Sequence, residues 1–319
     1  MQKVQVIASR YGTFFILILL VMVLGVLSPQ YFLTADNLTQ VVLQSAITIL
    51  IGCGVFFTIL IAGIDLSVGS IMALTGMVTA KLLVSGMPVL PAILVGGILF
   101  GALLGGINGF LVNRTGLHPF IITLGTLSIY RGITLIISDA RPVFGLPQGF
   151  KDGIAGWIWR IPIPVIIALV IALILTFITN KTKLGRNIYA IGGNPQSAWF
   201  SGINIKLHTL IVFIISGVCA GIAGVVMTAR LGAAEPMAGS GYELFAIAAA
   251  IIGGTSFFGG KGHILGVVTG GLIIGVINNG LNILSVPTYY QQIMMGTLII
   301  LSVTLDKLIS SGRRGDMRR

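Results

Sequence analysis

A series of long apolar runs, almost free of charge, constrains this chain more than any other feature. A helix needs about 20 apolar residues to cross a bilayer, and a charge at the bilayer centre costs about 2.5–3.5 kcal/mol. On that basis the runs mark helices near 12–28, 39–63, 66–84, 90–112, 117–138, 162–180, 207–229, 244–260, 263–284 and 288–305. Two divisions come from splitting long runs. Pro88 and Pro91 interrupt the start of Leu82–Asn113, and Ser285-Val286-Pro287 interrupts Gly262–Leu305, since proline ends or kinks a helix. Ten crossings is the expectation, with eight to eleven compatible. The stretch around Asp65 reads either as continuous or as a broken, re-entrant segment. The expected class is therefore all-α: a polytopic membrane helix bundle, with residues 1–319 forming one transmembrane domain.

Charge decides how such a bundle is oriented. Only 8% of the residues are charged, against roughly 25% in soluble domains, so there is no polar surface to wrap a soluble core. With the N-terminus cytoplasmic, the inner segments hold Lys3, Arg10, Arg114, Lys181, Lys183, Arg186, Lys206, Lys261, Lys307, Arg313, Arg314, Arg318 and Arg319. The outer segments hold Lys81, Arg141, Lys151, Arg160 and Arg230, with Arg131 left inside a span. The positive-inside bias thus places both termini in the cytoplasm. It also accounts for the net charge of +11 through topology and anionic lipid rather than nucleic acid, because the basic residues never cluster with stacking aromatics. Two cysteines in apolar runs make no disulfide framework. The first apolar segment is followed by Ser28-Pro29-Gln30-Tyr31 rather than a small-residue cleavage site, and reads as a retained anchor.

Glycine, 44 of 319 residues, is about twice its usual ~7% share, and its spacing is informative. Gly97, Gly101, Gly105 and Gly109 recur every four residues in the fourth span. The ninth repeats the pattern with Gly262, Gly266 and Gly270, then Gly271 and Gly275, continuing to Asn279. Gly217 and Gly221 form a shorter pair. Such stripes let helix backbones approach closely. Tight packing is the plain reading, and a sliding surface in a moving transporter is compatible with it.

Polar residues at membrane depth are rare and costly, so each is a functional candidate. The expected translocation path comprises Asp65, Ser67, Thr123, Asn278, Asn279 and Asn282, with Asn108 and Arg131 also noted. The competing reading is that such amides merely bond neighbouring helices. No chain of acids or histidines runs through the spans, and His118, His208 and His263 lie apart near span ends. Neither a proton relay, a metal site nor a nucleophilic triad is expected. Nor is a nucleotide site: the nearest approach to a phosphate loop, Gly254 to Lys261, has the wrong spacing and Gly262 in place of the hydroxyl. The chain is thus expected to hold no cofactor and to perform no catalysis of its own; if transport here is powered by ATP, the ATP and Mg must bind another chain.

The loop Lys181–Lys206 carries basic residues and no acid, yet its middle is not a polar tail. Asn194 suits a helix N-cap, Pro195 the first turn and Gly202 the position after the last. A helix of about two turns follows, with Trp199 and Phe200 projecting. It reads equally as a rigid peg for a partner or as an interfacial helix with its aromatics in the headgroups.

Four segments also resemble the signature of the ribose-type monosaccharide permeases of ATP-binding-cassette importers. These are GIDLSVGSIMALTG at 63–76, GRNIYAIGGN at 185–194 with SGI at 201–203, GYEL and GGTSFFGGKG within 241–262, and LGVVTGGLIIGVINNGLNILSV with TYYQ at 265–291. The resemblance implies a bacterial inner-membrane permease that pairs with a second copy of itself. It further implies a cytoplasmic ATPase and a periplasmic sugar-binding protein as partners. It favours the peg reading, with Gly192, Gly193, Asn194, Pro195, Ser197, Ala198, Trp199 and Gly202 forming the ATPase-coupling loop. Where the family commonly shows acidic-Ala-Ala after GGN, this chain has Pro195-Gln196-Ser197, and Phe245 stands where an Asp is common. Ribose, allose or a related sugar is the implied cargo. The alternatives are another small ligand such as autoinducer-2, a stand-alone secondary sugar transporter, or a channel or accessory subunit.

Overall fold

The computed structural model describes the backbone of residues 2–316 and the side chains of residues 12–304, 306 and 307. The side chains of Lys3, Arg10, Arg313, Arg314, Arg318 and Arg319, counted in the charge bias, lie outside these described residues. The order of helices is α1 (Gln2–Leu27), α2 (Ala35–Leu60), α3 (Val68–Val84) and α4 (Val89–Ala92), followed by a π-helical segment (Ile93–Leu99) and α5 (Phe100–Thr115). Then come α6 (Pro119–Ser138), α7 (Gln148–Ala155), α8 (Ile163–Lys181), α9 (Lys183–Gly193), α10 (Pro195–Phe200) and α11 (Ile205–Leu231), with α12 (Tyr242–Ile252), α13 (Ile264–Ile283) and α14 (Thr288–Asp316) last. One two-stranded hairpin, β1 (Trp157–Ile158) with β2 (Ile161–Pro162), pairs Trp157 with Pro162 and Ile158 with Ile161. Among the described residues six helices are long and apolar enough to cross a membrane, and α3, α12 and Gly12–Leu27 are shorter apolar helices.

The centre of the bundle is α2. Every residue from Ser45 to Leu60 is buried, which fits its all-round apolar sequence, ITILIGCGVFFTIL. It packs against α8, α11, α12 and α13. The outward faces of α1, α5, α6 and α8 carry exposed Phe15, Leu19, Leu103, Phe110, Ile129, Ile136, Leu173 and Phe177. Exposed side chains of this kind suit lipid, where apolar groups are at no disadvantage.

Glycine stripes set how closely the helices pack. Along α5 and α11, Gly101 faces Gly217 and Gly221, Gly105 faces Phe213 and Gly217, and Gly109 faces Leu210. The two helices run antiparallel, and at Gly101, Gly105, Gly217 and Gly221 a Cβ would overlap the carbonyl of the opposite backbone. On α13 the glycines serve two neighbours. Gly266 and Gly270 lie on the Gly253 and Ala249 carbonyls of the α12 end, while Gly271 and Gly275 lie on Ile49 and Ser45 of α2.

Two helices end earlier than their apolar runs. The run 244–260 predicts one crossing, but α12 stops at Ile252 and residues 253–263 are not helical. Gly253-Gly254 and Gly259-Gly260 break it, and Gly254, Gly259, Gly260 and Gly262 all have positive φ. Likewise α2 stops at Leu60, and residues 61–67 lead to α3 with Ala62 at φ 58°. Irregular backbone at membrane depth is tolerated where protein covers it and satisfies its polar groups. Here Gly63 N–H donates to the Thr58 carbonyl (2.9 Å), Gly260 N–H to the Leu60 carbonyl (2.9 Å) and the Thr123 hydroxyl to the Ile64 carbonyl (3.0 Å).

Candidate functional site

The loop after α8 has more structure than its sequence signals. Thr182 caps α9, accepting from Gly185 N–H at 3.2 Å, and α9 then extends through Gly192 and Gly193, which read as loop residues. Asn194 both ends α9 and caps α10, its side chain accepting from Ser197 N–H at 2.9 Å. Pro195 takes the first turn and Gly202, at φ +78°, follows the last. Ala198 is buried, whereas Trp199 and Phe200 are 62% and 72% exposed and lie edge to face. Trp199 and Gly202 to Lys206 line a groove of about 590 Å³ beside them. The result is a rigid, capped surface knob with an aromatic tip.

Its root is fastened to both helix breaks. Tyr189 of α9 donates its hydroxyl to the Gly262 carbonyl at 2.7 Å. Burial pushes its phenol above the ordinary tyrosine range, so the donor proton is retained. A Cβ on Gly192 would overlap the Leu60 carbonyl, and one on Gly260 would sit 2.7 Å from Gly193 N. The end of α2, the 253–263 segment and α9 therefore meet backbone to backbone. Asp306 of α14 ties to the same segment, its carboxylate accepting from Ser256 Oγ and Phe257 N–H, each at 3.0 Å.

The expected path residues fall into separate places. Asp65 and Ser67 are fully buried in a network at the second break. Asp65 Oδ1 accepts from Ser67 N–H (3.0 Å) and Ser67 Oγ (2.6 Å), and Oδ2 accepts from Ser216 Oγ of α11 (2.8 Å). Asn108 of α5 donates to Ser67 Oγ (2.7 Å), and Tyr130 of α6 donates to Asn108 Oδ1 (3.2 Å) and the Leu104 carbonyl (3.0 Å). Three helices, α5, α6 and α11, are thereby tied to the extended segment, and Thr123 of α6 holds it again through Ile64. Asn279 exchanges reciprocal amide bonds with Asn37 of α2 at 2.8 and 3.1 Å. These four expected path residues have their polar groups engaged inside the protein.

Asn278 and Asn282 differ. They line a cavity of about 400 Å³ bounded by α2, α11, α12, α13 and α14, together with Gln44, Thr48, Met227, Arg230, Leu231, Tyr242, Phe245, Gly275 and Gln291. It lies toward the end of the bundle where α11 finishes and α12 and α14 begin, away from the α9–α10 knob. Gln291 donates to Asn282 Oδ1 at 2.9 Å, whereas buried Asn278 Oδ1 has no hydrogen-bond partner. The one-turn spacing of Asn278 and Asn282 signals this site in the sequence. The contributions of Gln44, Thr48 and Gln291 do not show there, because they come from helices brought together only by folding. At the same end, Arg131 of α6 donates to the Pro236 and Ala238 carbonyls at 2.7 and 2.8 Å, fastening the loop before α12.

The arrangement offers a bundle with an amide-lined cavity, a mechanical joint at its opposite end and an exposed knob on that joint. Comparison with known proteins agrees with a transport machine. The chain is 64% identical over 302 residues to the D-allose transport system permease protein AlsC of Escherichia coli, covering 95% of this chain and 93% of that one. It is 40% identical over 309 residues to the ribose import permease protein RbsC of Haemophilus influenzae, covering 94% and 93%. The galactose/methyl galactoside import permease protein MglC of Escherichia coli is 37% identical over 317 residues, with 94% of each chain covered. No solved structure matches the chain. Residues 37–303 match the family described as the branched-chain amino acid transport system / permease component, and the chain belongs to that family of transport permeases.

Proposed function

We propose that this chain is the membrane-spanning permease subunit of an ATP-driven importer that carries a monosaccharide, with D-allose or D-ribose first among the candidates, into the bacterial cytoplasm. The sugar assignment is supported by relatives named for allose, ribose and galactose transport, each matched along nearly its whole length. The family together with six helices suited to crossing places the chain in the inner membrane as a multi-pass protein. One permease domain with ten crossings and both termini cytoplasmic follows from the apolar runs and the bias of basic residues. That orientation puts α9 and α10 inside the cell and the cavity toward the outside. A second copy of the chain, a cytoplasmic ATPase that holds the ATP and Mg, and a periplasmic sugar-binding protein complete the machine.

The observation that carries this reading is the joint at α9. An exposed aromatic knob, Trp199 and Phe200, stands on a short capped helix whose root, α9, meets the end of α2 and the 253–263 segment backbone to backbone, with Tyr189 adding a side-chain bond to Gly262. Force applied to the knob therefore has a backbone-to-backbone route to the helices that line the cavity. A secondary transporter has no use for such a knob. In a driven permease the two cavity states would be populated according to what the partner ATPase binds.

Reconstitution in vesicles with the ATPase and the sugar-binding protein tests the proposal. Loaded D-allose or D-ribose is expected to raise ATP hydrolysis and to accumulate inside. Sugar flux through this chain alone on an ion gradient would favour a secondary transporter. An ATPase rate indifferent to the chain would favour an accessory role.

A further inference from the structure

Building on the monosaccharide function above, we propose that the cavity between α2, α11, α12, α13 and α14 is a transient sugar site, and that Asn278 selects its ligand by accepting a hydroxyl hydrogen bond. Buried polar atoms are nearly always partnered, so a bare acceptor is informative. Asn278 Oδ1 is buried and unpartnered, while its neighbours on α13 are engaged, Asn279 by Asn37 and Asn282 by Gln291. The chemistry missing at Asn278 is a donor, and a sugar brings several.

The remaining walls fit the same ligand. At about 400 Å³ the cavity lies near the lower end of the ~300–1,000 Å³ typical of small-molecule sites, which suits a single small ring. Tyr242 and Phe245, their rings 5.5 Å apart and edge to face, give an apolar wall for the C–H face of that ring. Gln44 and Thr48 add polar groups from α2. Among the described residues lining it, Arg230 carries the only charge. The carboxylate of an amino acid could pair with this guanidinium, but its ammonium group would find no carboxylate among the lining residues, whereas a neutral polyol needs none and can accept from the guanidinium. The lack of a carboxylate for an ammonium group thus suits the cavity to a neutral sugar, and its small number of contacts lets the sugar leave again.

The test uses the complete importer in vesicles. Asn278→Leu, which keeps the branched shape and removes the acceptor, is expected to lower D-allose uptake at least tenfold per assembled importer. Asn278→Asp, which restores an acceptor, is expected to recover much of the uptake. Thr48→Val, a nearly isosteric change, is expected to raise the apparent KM several-fold, and decides the matter if Asn278→Leu fails to accumulate. A direct readout comes from Asn282→Cys labelled by a hydrophilic maleimide, since Cys53 and Cys219 are buried. D-allose is expected to slow that labelling and L-leucine to leave it unaltered. Wild-type rate and KM in Asn278→Leu, or equal protection by L-leucine, would overturn the sugar site and leave the monosaccharide function standing. A wild-type importer that carries no sugar would sink that function, and the site with it.

Discussion

Asp65 is the residue whose role changes most between sequence and structure. An acid at membrane depth is a candidate for a substrate path, but here both carboxylate oxygens are occupied by Ser67 and Ser216, and Ser67 is bonded in turn to Asn108. Its position makes it a clasp on the non-helical segment 61–67. Each buried partner left bare costs about 1–3 kcal/mol, so Asp65→Leu is expected to destabilise the permease by several kcal/mol. A lowered thermal midpoint in detergent would register this, with Asp65→Asn less affected because one acceptor remains. An unchanged midpoint in Asp65→Leu would dismiss the clasp. Asn278 and Asn279 show why such roles are not legible from residue type. Adjacent on one helix and chemically identical, one faces Asn37 and the other a cavity, and only the helix rotation against its neighbours distinguishes them.

Among the helices, the four-residue glycine spacing is the most legible signal and the glycine-broken ends the least. The stripe on α5 leaves no room for a methyl group at Gly105, where a Cβ would overlap the Phe213 carbonyl. Overpacking typically costs 1–3 kcal/mol and more where backbone must shift, so Gly105→Ala is expected to reduce the folded protein recovered from membranes. Gly132 in α6 has nothing within 4 Å of its would-be Cβ. Gly132→Ala is therefore expected to be neutral or to stabilise by up to about 1 kcal/mol through helix propensity. Equal recovery of the two variants would remove the packing explanation. By contrast, the early end of α12 and the extension of α9 through Gly192-Gly193 run against expectation. Glycine pairs permit either a break or a close helical contact, and the neighbouring backbone decides which.

Across the whole molecule, the cavity and the knob stand at opposite ends and share helices. The end of α2 meets α9 at Leu60, and the same helix reaches the cavity with Gln44 and Thr48. The 253–263 segment meets α9 at Gly260 and Gly262 and connects α12 to α13, which supply Tyr242, Phe245 and Asn278. Gly192→Ala would push α9 off the Leu60 carbonyl without altering the Trp199 and Phe200 surface. The expected result is a permease that still binds its ATPase, with sugar-stimulated ATP hydrolysis and uptake both reduced at least tenfold. Normal stimulation in this variant would show that coupling takes another route.

The sequence by itself determined the solvent, the helical class, the glycine seams and the capped helix after Asn194, because each rests on local composition or on spacing along one element. The resemblance carried by its four motifs pointed to the transport family. Only the tertiary structure decided which polar residues are clasps and which line a cavity, and that α9 meets the end of α2 and the 253–263 segment backbone to backbone. Those outcomes depend on atoms far apart in the chain, such as Asp65 and Ser216 or Leu60 and Gly260, whose meeting is set by how whole helices pack rather than by any pattern within one of them.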